Sequence, residues 1–417
     1  MSSSTSRTVV EAAVRAHYGK ILAILIKQFG DIKLAEDCLQ DTISIALEYW
    51  ERKNIPLNQA GWLLQTARRK VIDHLRRDKN FGRKKLLLTE PMLYTEELKE
   101  KEEIPDERLR LIFTCCHPAL SEQAQIGLTL KTVCGLSTTQ LAHAFLVSDK
   151  TIAQRLVRAK NKIKIAGIPY EVPTNSKLDD RLNSVMSVIY LIFNEGHRSV
   201  SNENSDSVDL SKEAIYLASV LLKLLPDEPE VAGLLALMNF HFARFPARLN
   251  QQNETVSLRD QDRSRWSHKH IVKADKLLKP ALMKGQPGKY QIQAAISAVH
   301  VHAPDHEHTD WSQIVLLYQK LYAYQPTPIV ELNAAVALSF AHSPEAGITA
   351  IEAMKNPKVM QFYQPWYAAK ADIFDRAGKL SEARQCYLTA IELTPSQSDT
   401  SYLKRQLVSL KKRALVS

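Results

Sequence analysis

The sequence predicts an all-α fold, and two observations lead to this prediction. Apolar residues recur at helical spacing along most of the 417-residue chain, and no comparable stretch alternates apolar and polar residues as a strand would. Pro, Gly and Asn residues interrupt the helical segments. A chain of this length is too long for one ordinary core, so we expect two or three helical domains.

Changes in the helical pattern predict the domain boundaries. The pattern covers residues 8–79 and returns over residues 106–165. Between them, residues 80–105 carry a basic run followed by an acidic one, as a solvated linker would. Residues 166–180 are rich in turn formers, so we place the next boundary there. Residues 181–417 then form an all-helical C-terminal extension.

Composition and charge narrow the functional class. No window approaches the roughly 20 apolar residues of a membrane helix, and no basic segment precedes an apolar run at the N-terminus, so a cytoplasmic protein without a membrane partner is expected. Of the formal charge of +10, about four-fifths lies in residues 1–165. This excess favours a polyanionic partner, because Lys and Arg displace counterions from phosphates.

The five cysteines predict neither a disulfide framework nor a zinc site, since none forms a CxxC pair. The adjacent thiols of Cys115 and Cys116 cannot easily both bind one ion from a helix. We therefore expect the cysteines to be small core residues and assign no metal and no cofactor.

The clearest local pattern lies between Gly135 and Ile163. Ser137 and Gln140 fit a capping box at the start of one helix, and Ser148 fits the N-cap of a second, which gives helix-turn-helix spacing. The second helix is predicted to bury Ile152, Leu156, Ala159 and Ile163. Its opposite face carries donors suited to base edges and phosphates in a major groove, although it would also suit an ordinary solvated helix. These donors belong to Lys150, Thr151, Gln154, Arg155, Arg158 and Lys162.

A helix over residues 32–50 is predicted to carry an acidic, hydrogen-bonding face. The residues expected to point inward are Ala35, Leu39, Thr42, Ala46 and Tyr49. The residues expected on the other face are Asp37, Gln40, Asp41, Ser44 and Glu48. Such a face suits a basic protein partner better than DNA, and a plain solvated face is the alternative.

A helix over residues 62–77 is predicted to carry a cationic face. Its expected buried stripe consists of Leu64, Ala67, Val71 and Leu75. Cations beside an aromatic ring suit a single nucleic-acid strand, and the residues concerned are Trp62, Arg68, Arg69, Lys70, Arg76 and Arg77. Asp73 is expected to pair with Arg69 or Arg77 at helical spacing.

In this order and spacing, the three segments resemble the extracytoplasmic-function sigma factors of RNA polymerase. Residues 136–164 resemble region four, whose helix contacts the minus-thirty-five promoter element. Residues 32–50 resemble the region-two helix that docks on the polymerase clamp, and residues 62–77 resemble the helix that opens and reads the minus-ten element. Residues 106–120 are similar to a segment of the subgroup with a long C-terminal extension.

The resemblance implies the role of each face. The donors of the helix-turn-helix would contact the minus-thirty-five element, and the cationic face with Trp62 would contact the minus-ten element. The acidic face would bind core RNA polymerase. The implied partners are core RNA polymerase, through its clamp and flap, and promoter DNA, both duplex and melted.

Residues 365–395 match the pattern of a tetratricopeptide repeat, a unit of about 34 residues. The matching residues are Tyr367, Ala371, Phe374, Ala383, Tyr387, Ala390 and Pro395. One repeat cannot bury its own face, so residues 310–326 and 328–355 are expected to be degenerate neighbours, whose shared surface could take a protein partner. A nearby group of histidines, expected in a loop, lacks a defined metal spacing; these are His300, His302, His306 and His308.

The resemblance therefore predicts a sigma factor that directs promoter recognition and transcription initiation, with a C-terminal domain that regulates it in cis. The alternative is a one-component helix-turn-helix regulator with a C-terminal sensor or interaction domain. Residues 32–50 favour the sigma factor, because a plain regulator has no use for them. No catalytic residue is assigned and no enzyme is expected, since phosphate-loop, HExxH and GxSxG motifs do not occur.

Overall fold

A computed structural model of the chain describes residues 2–52, 55–77, 107–145, 147–173, 175–198, 210–354, 360–394 and 397–414. Within these ranges the regular structure is helical, apart from one isolated β-bridge between Leu249 and Thr255. The predicted all-α fold is confirmed. The predicted linker over 80–105 and the terminating Pro395 lie outside the described residues.

None of the described helices has the length and apolar character needed to cross a membrane. The chain divides into two compact units, Met1–Leu217 and Ala218–Ser417. The predicted boundary over residues 166–180 lies within the first unit, and the helix that follows it belongs to that unit.

The first unit begins with three long helices: α1 (Ser2–Phe29), α2 (Ile32–Arg52) and α3 (Gln59–Arg77). Gly30 ends α1 in the left-handed region at φ 69°, and the side chain of Asp31 accepts a hydrogen bond from the N–H of Leu34 at 3.0 Å. In the same way Asn58 accepts from the N–H of Gly61 at 2.8 Å, at the start of α3. Each of the three helices packs on the other two.

The first unit continues with α4 (Arg108–Cys115), α5 (Glu122–Thr132), α6 (Thr138–Ala144), α7 (Asp149–Ile165) and α8 (Asn175–Arg198). Phe113 and Leu128 are fully buried at its core. Helix α8 packs on both α4 and α5. The first helix of the predicted extension is therefore an integral part of the core around the helix-turn-helix. Helix α9 (Leu210–Leu224) follows and extends past the end of the unit.

The second unit is built around α10, which is buried along most of its length and packs on α11 and α12. Later helices pack mainly on their neighbours in the chain. The bounds are α10 (Pro229–Ala243), α11 (His268–Met283), α12 (Lys289–His302), α13 (Trp311–Tyr324), α14 (Pro328–Ala341), α15 (Pro344–Glu352), α16 (Gln364–Arg376), α17 (Leu380–Leu393) and α18 (Gln397–Ala414).

Residues 365–394 form a helix pair, α16 and α17, whose small predicted positions are buried. Ala371, Ala383 and Ala390 are inaccessible to solvent and Tyr387 is 4% exposed. The expected loop around the histidines is wrong in part, because α12 continues through His302 and so includes both His300 and His302. Of the described residues, no group of three or more His, Cys, Asp or Glu side chains is placed to hold a metal ion.

Candidate nucleic-acid and polymerase interface

The helix-turn-helix begins with the predicted capping box. The N–H of Ser137 donates to Oε1 of Gln140 at 2.8 Å, and the N–H of Gln140 donates to Oγ of Ser137 at 3.0 Å. At the start of α7, Oγ of Ser148 accepts from the N–H of Thr151 at 3.2 Å. Two free N–H groups at one helix start and one at the other are thus satisfied, which fixes where both helices begin.

Helix α7 buries the stripe that its periodicity predicts: Ile152, Leu156, Ala159 and Ile163. Four of the six predicted DNA contacts are exposed together on the other side, namely Lys150, Gln154, Arg158 and Lys162. The other two are half-buried and have local neighbours. The hydroxyl of Thr151 is hydrogen-bonded to that of Ser148 at 2.8 Å, while Arg155 lines a cavity.

That cavity has a volume of about 350 Å³ and lies between α5, α7 and α8. Ile126 and Leu156 give it apolar walls, and Leu191 and Glu195 of α8 complete it. Arg155 therefore faces a helix of the predicted extension as well as the exposed face of α7. The sequence pattern of α7 alone could not show this neighbour.

The residues of the predicted acidic face of α2 are all exposed; they are Asp37, Gln40, Asp41, Ser44 and Glu48. Ala35, Leu39, Thr42 and Ala46 are buried, as expected. The prediction for Tyr49 is wrong, because Tyr49 is 40% exposed while Trp50 is buried at 2%. Trp50 lies four residues after Ala46 and so continues the buried stripe.

The cationic face of α3 presents three of its four named arginines to solvent: Arg69, Arg76 and Arg77. Arg68 differs, since its Nε donates to Oε1 of Gln28 on α1 at 2.9 Å and burial lowers its pKa. Asp73 lies 3.9 Å from Arg76, rather than beside Arg69 or Arg77. The predicted stripe of Leu64, Ala67, Val71 and Leu75 is buried.

Trp62 is half-buried in an aromatic cluster at the start of α3. Its ring stacks on Tyr49, with centroids 5.6 Å apart and planes at 27°, and meets the edge of Trp50 at 5.5 Å. Tyr49, which was predicted to point inward, is thus the outer member of this stack. An aromatic pair at this surface suits contact with an unstacked base.

Glu36 is the residue of this region that sequence reasoning missed. It is 4% exposed, with Oε1 at 3.6 Å from Nζ of Lys131 on α5, and its Oε2 accepts a hydrogen bond from Lys160 on α7. Burial lowers the pKa of Lys131, and the attraction of Glu36 opposes that shift. Because Glu36 lies three residues before the buried Leu39, a charge at a core-facing position was the available indication.

Close backbone packing accompanies this buried ion pair. A Cβ added to Gly19 on α1 would lie 2.4 Å from the carbonyl oxygen of Val133, at the end of α5. Gly135 has φ 77° and lies against the ring of Tyr18, where an added Cβ would be 3.0 Å away. The surface between α1 and the α5–α6 connection therefore has no room for side chains at Gly19 or Gly135.

Polar contacts from the predicted extension also reach this region. Nη2 of Arg181 on α8 donates to the carbonyl oxygen of Phe113 at 2.6 Å. Nη1 of Arg108 on α4 donates to the hydroxyl of Tyr216 on α9 at 2.8 Å. Tyr170, just before α8, donates to the carbonyl oxygen of Ala23 on α1 at 2.9 Å. Residues on both sides of the predicted boundary are thus joined by hydrogen bonds.

The thiols near this contact are structural. Cys115 and Cys116 are inaccessible to solvent. Sγ of Cys115 lies 3.2 Å from Oγ1 of Thr132, and Sγ of Cys116 lies 3.4 Å from Oγ1 of Thr129. Burial raises the pKa of Cys116 to about 12 and also raises that of Cys115. Because the thiolate is the form that binds metals, the prediction that these are core residues is consistent with their surroundings.

Comparison with known proteins shows which family the chain belongs to. Residues 13–81 match the family described as Sigma-70 region 2, and residues 181–282 match a family of unknown function, DUF6596. An uncharacterized protein of Rhizobium meliloti (strain 1021) is 37% identical over 406 residues, which cover 95% of each chain. No solved structure matches. The chain belongs to one family with this Rhizobium protein and, by its Sigma-70 region 2 over α1–α3, is a sigma-70 family sigma factor that acts with RNA polymerase in promoter recognition.

Proposed function

We propose that the chain is an extracytoplasmic-function sigma factor whose activity is regulated in cis by its C-terminal extension. In this proposal α2 binds the polymerase clamp, α3 reads the minus-ten element and α7 reads the minus-thirty-five element. The observation that carries the proposal is the combination of a Sigma-70 region 2 match with a separately capped helix-turn-helix. A plain helix-turn-helix regulator has no need of a Sigma-70 region 2.

The exposed charges support a division of labour among the three helices. Lys150, Gln154, Arg158 and Lys162 are exposed donors on α7, and the carboxylate of this helix, Asp149, accepts a hydrogen bond from Thr139. Such donors suit the phosphates and base edges of duplex DNA. The carboxylates of Asp37, Asp41 and Glu48 suit a basic protein surface instead, because they would repel DNA. Polymerase binding by α2 and DNA binding by α7 therefore need not compete.

The compact first unit is better suited to a closed state than to promoter binding. Elements centred about 25 base pairs apart lie roughly 85 Å apart along duplex DNA, at ~3.4 Å per base pair. A helix the length of α7 spans only about 26 Å. Glu36 of α2 is hydrogen-bonded to Lys160 of α7, and α2 packs on α3, so α3 and α7 cannot reach both elements without separating. We therefore propose that the contact between α2 and α7 opens when the protein binds polymerase.

The extension is in a position to control that step. Helix α8 packs on α4 and α5, and Arg181 fixes it to the backbone at Phe113. A DUF6596 match over residues 181–282 begins at this arginine. Opening of the unit would thus be sensitive to anything that moves α8.

The later helices supply a surface for a protein partner of the extension. We propose that α16 and α17 are one tetratricopeptide-like repeat and that α13–α15 belong to its degenerate neighbours, as their buried alanines and consecutive packing suggest. A groove of about 400 Å³ on α13–α15 is lined by Tyr318, Tyr322 and Leu338 among others. A protein that binds there would act on the sigma domains through the chain.

Run-off transcription tests the proposed activity. Purified protein is mixed with core RNA polymerase that lacks any other sigma factor, and a library of genomic fragments serves as template. Discrete start sites that vanish without the protein, and that weaken with Arg158→Ala, are expected. Tight duplex binding without initiation would favour the one-component regulator and refute the assignment of α1–α3.

Regulation in cis is tested by shortening the chain. A version that ends at Gly167 removes α8 and all later helices but keeps the capped helix-turn-helix. A changed yield of transcripts at equal occupancy of polymerase is expected. Equal transcription from the full chain and from the short version would remove the regulatory part of the proposal and leave the sigma activity intact.

A further inference from the structure

A cluster of cationic side chains lies at the C-terminal end of α10 in the second unit. Arg244 directly follows the last residue of α10, and Arg248 follows the 3-10 turn over residues 245–247. The N–H of Ser267 donates to the carbonyl oxygen of Ala243 at 2.8 Å, which holds the turn over residues 263–267 against the end of α10.

Arg263 joins this turn to a third element. Its Nη1 donates to the carbonyl oxygens of His300 and Ala303, both at 2.7 Å, at the end of α12. Its guanidinium lies 4.6 Å from the ring centroid of Trp266. The 263–267 turn therefore joins the ends of α10 and α12, and the charge of Arg263 acts on Arg244.

Three nitrogen atoms at this junction lack partners. Nε of Arg244, Nε1 of Trp266 and Nδ1 of His300 are inaccessible to solvent and make no hydrogen bond within the described part of the chain. Indole and guanidinium nitrogens can only donate. Since buried donors in folded proteins are nearly always paired, this set requires an acceptor.

The surrounding charge indicates the sign of that acceptor. Besides burial, the charges that lower the pKa of Arg244, to about 10, are those of Arg248 and Arg263. Asp399 opposes the charge of Arg248, but no carboxylate is among the groups that act on Arg244. An anion beside Arg244 would therefore relieve both the repulsion and the unpaired donors.

We propose that Arg244 is the centre of a binding site for a phosphate group, either inorganic phosphate or the phosphomonoester of a small metabolite. A guanidinium binds phosphate oxygens through paired hydrogen bonds, and the indole N–H of Trp266 supplies a further donor. His300 supplies another donor when its neutral ring carries the proton on Nδ1. A phosphate dianion offers more charge and more acceptor oxygens than a carboxylate, so it satisfies this set better.

Calorimetric titration of the full-length chain tests the site. Sodium phosphate and glycerol 3-phosphate are added separately in chloride buffers of matched ionic strength, which distinguishes the free ion from an ester. Saturable binding of at least one of them is expected, and Arg244→Gln should weaken it by at least about tenfold. Arg384→Gln removes an exposed arginine from the same unit and should leave the affinity unchanged.

Thermal unfolding separates this role from a structural one. Phosphate should raise the melting temperature of the wild type, with a shift that grows as the logarithm of its concentration above the dissociation constant, because it binds the folded state. Without phosphate, Arg244→Gln should melt no lower than the wild type, since it removes an unpaired buried charge, and at equal phosphate concentration its melting temperature should rise by less. Absence of saturable binding up to about 10 mM of either probe, or equal affinity in Arg244→Gln and wild type, would overturn the proposal.

Discussion

Replacing Glu36 with Gln keeps the size of the side chain and removes the charge that holds Lys131 and Lys160 against α2. The side chain of Glu36 is 5% exposed, that of Lys131 is 9% exposed and that of Lys160 is 19% exposed. Lys160 can turn towards solvent after the substitution. Lys131 cannot regain water unless the contact between α2 and α5 opens.

The expected magnitude follows from these exposures. Removal of one partner from a buried ion pair costs about 3–5 kcal/mol, because the remaining charge stays desolvated. We expect the lower end, about 3 kcal/mol, since only Lys131 is fully enclosed. At 1.4 kcal/mol for each factor of ten, the balance between closed and open forms should shift by roughly a hundredfold.

Energy transfer between two dyes measures that balance directly. Lys33 on α2 and Lys164 on α7 are exposed and can be changed to cysteine, in a chain where the partly exposed Cys386 is serine. Glu36→Gln should lower the transfer efficiency. Asp37→Asn is the matched control, because it removes the same charge from the exposed neighbouring position.

Two results would count against this reasoning. Transfer efficiency in Glu36→Gln equal to that in Asp37→Asn would mean that the ion pair does not hold the closed form. A double variant with Glu36→Gln and Lys131→Met should recover part of the closed form, since an apolar side chain of similar length needs no charged partner. Failure of this double variant to recover any of it would assign the effect to the loss of Glu36 contacts other than the charge.

Three further predictions concern packing, capping and pH. Gly19→Ala should open the packing of α1 on the end of α5, at about 1–3 kcal/mol, because its Cβ would meet the carbonyl oxygen of Val133; unchanged energy transfer between the two dyes would contradict this. Ser137→Ala should lower the free energy of unfolding by about 1 kcal/mol in urea titrations, through the lost cap, and Ser137→Thr should restore most of it. Burial lowers the pKa of both His241 and His300 to about 3, below the ordinary 6.5, so the unfolded chain binds more protons between these values. The free energy of unfolding should therefore be highest above about pH 6.5 and should fall as the pH falls, by up to about 1.4 kcal/mol per pH unit for each histidine. A slope of this free energy against pH in His300→Asn equal to that of the wild type would refute the reasoning.

The features predicted correctly from the sequence are local ones. The capping box of Ser137 and Gln140 involves residues three apart, and its two hydrogen bonds are formed as expected. The buried stripes of α3 and α7 likewise follow from helical spacing, which does not depend on what the helix packs against. Such features need only the sequence of one helix.

The features that were missed depend on partners far along the chain. Lys160 is 124 residues from Glu36, and Gln28 is 40 residues from Arg68. Helical periodicity shows that a residue faces inward but not which element covers it. Tyr49 was assigned inward because helical spacing allowed it, whereas the wider ring of Trp50 fills the core there.

The two lysines Lys160 and Lys162 on α7 allow DNA binding to be separated from closure. Lys162 is exposed, so Lys162→Ala should weaken promoter binding uniformly across sequences and reduce the slope of log K against log salt by about 1. Lys160 is bonded to Glu36, so Lys160→Ala should leave that slope unchanged and lower the transfer efficiency between α2 and α7. Binding measured at several salt concentrations, with holoenzyme and dye-labelled promoter, distinguishes them. If Lys160→Ala lowers the salt slope as much as Lys162→Ala, then Lys160 contacts phosphate in the bound state, and its bond to Glu36 would place closure and DNA binding in direct competition for one side chain.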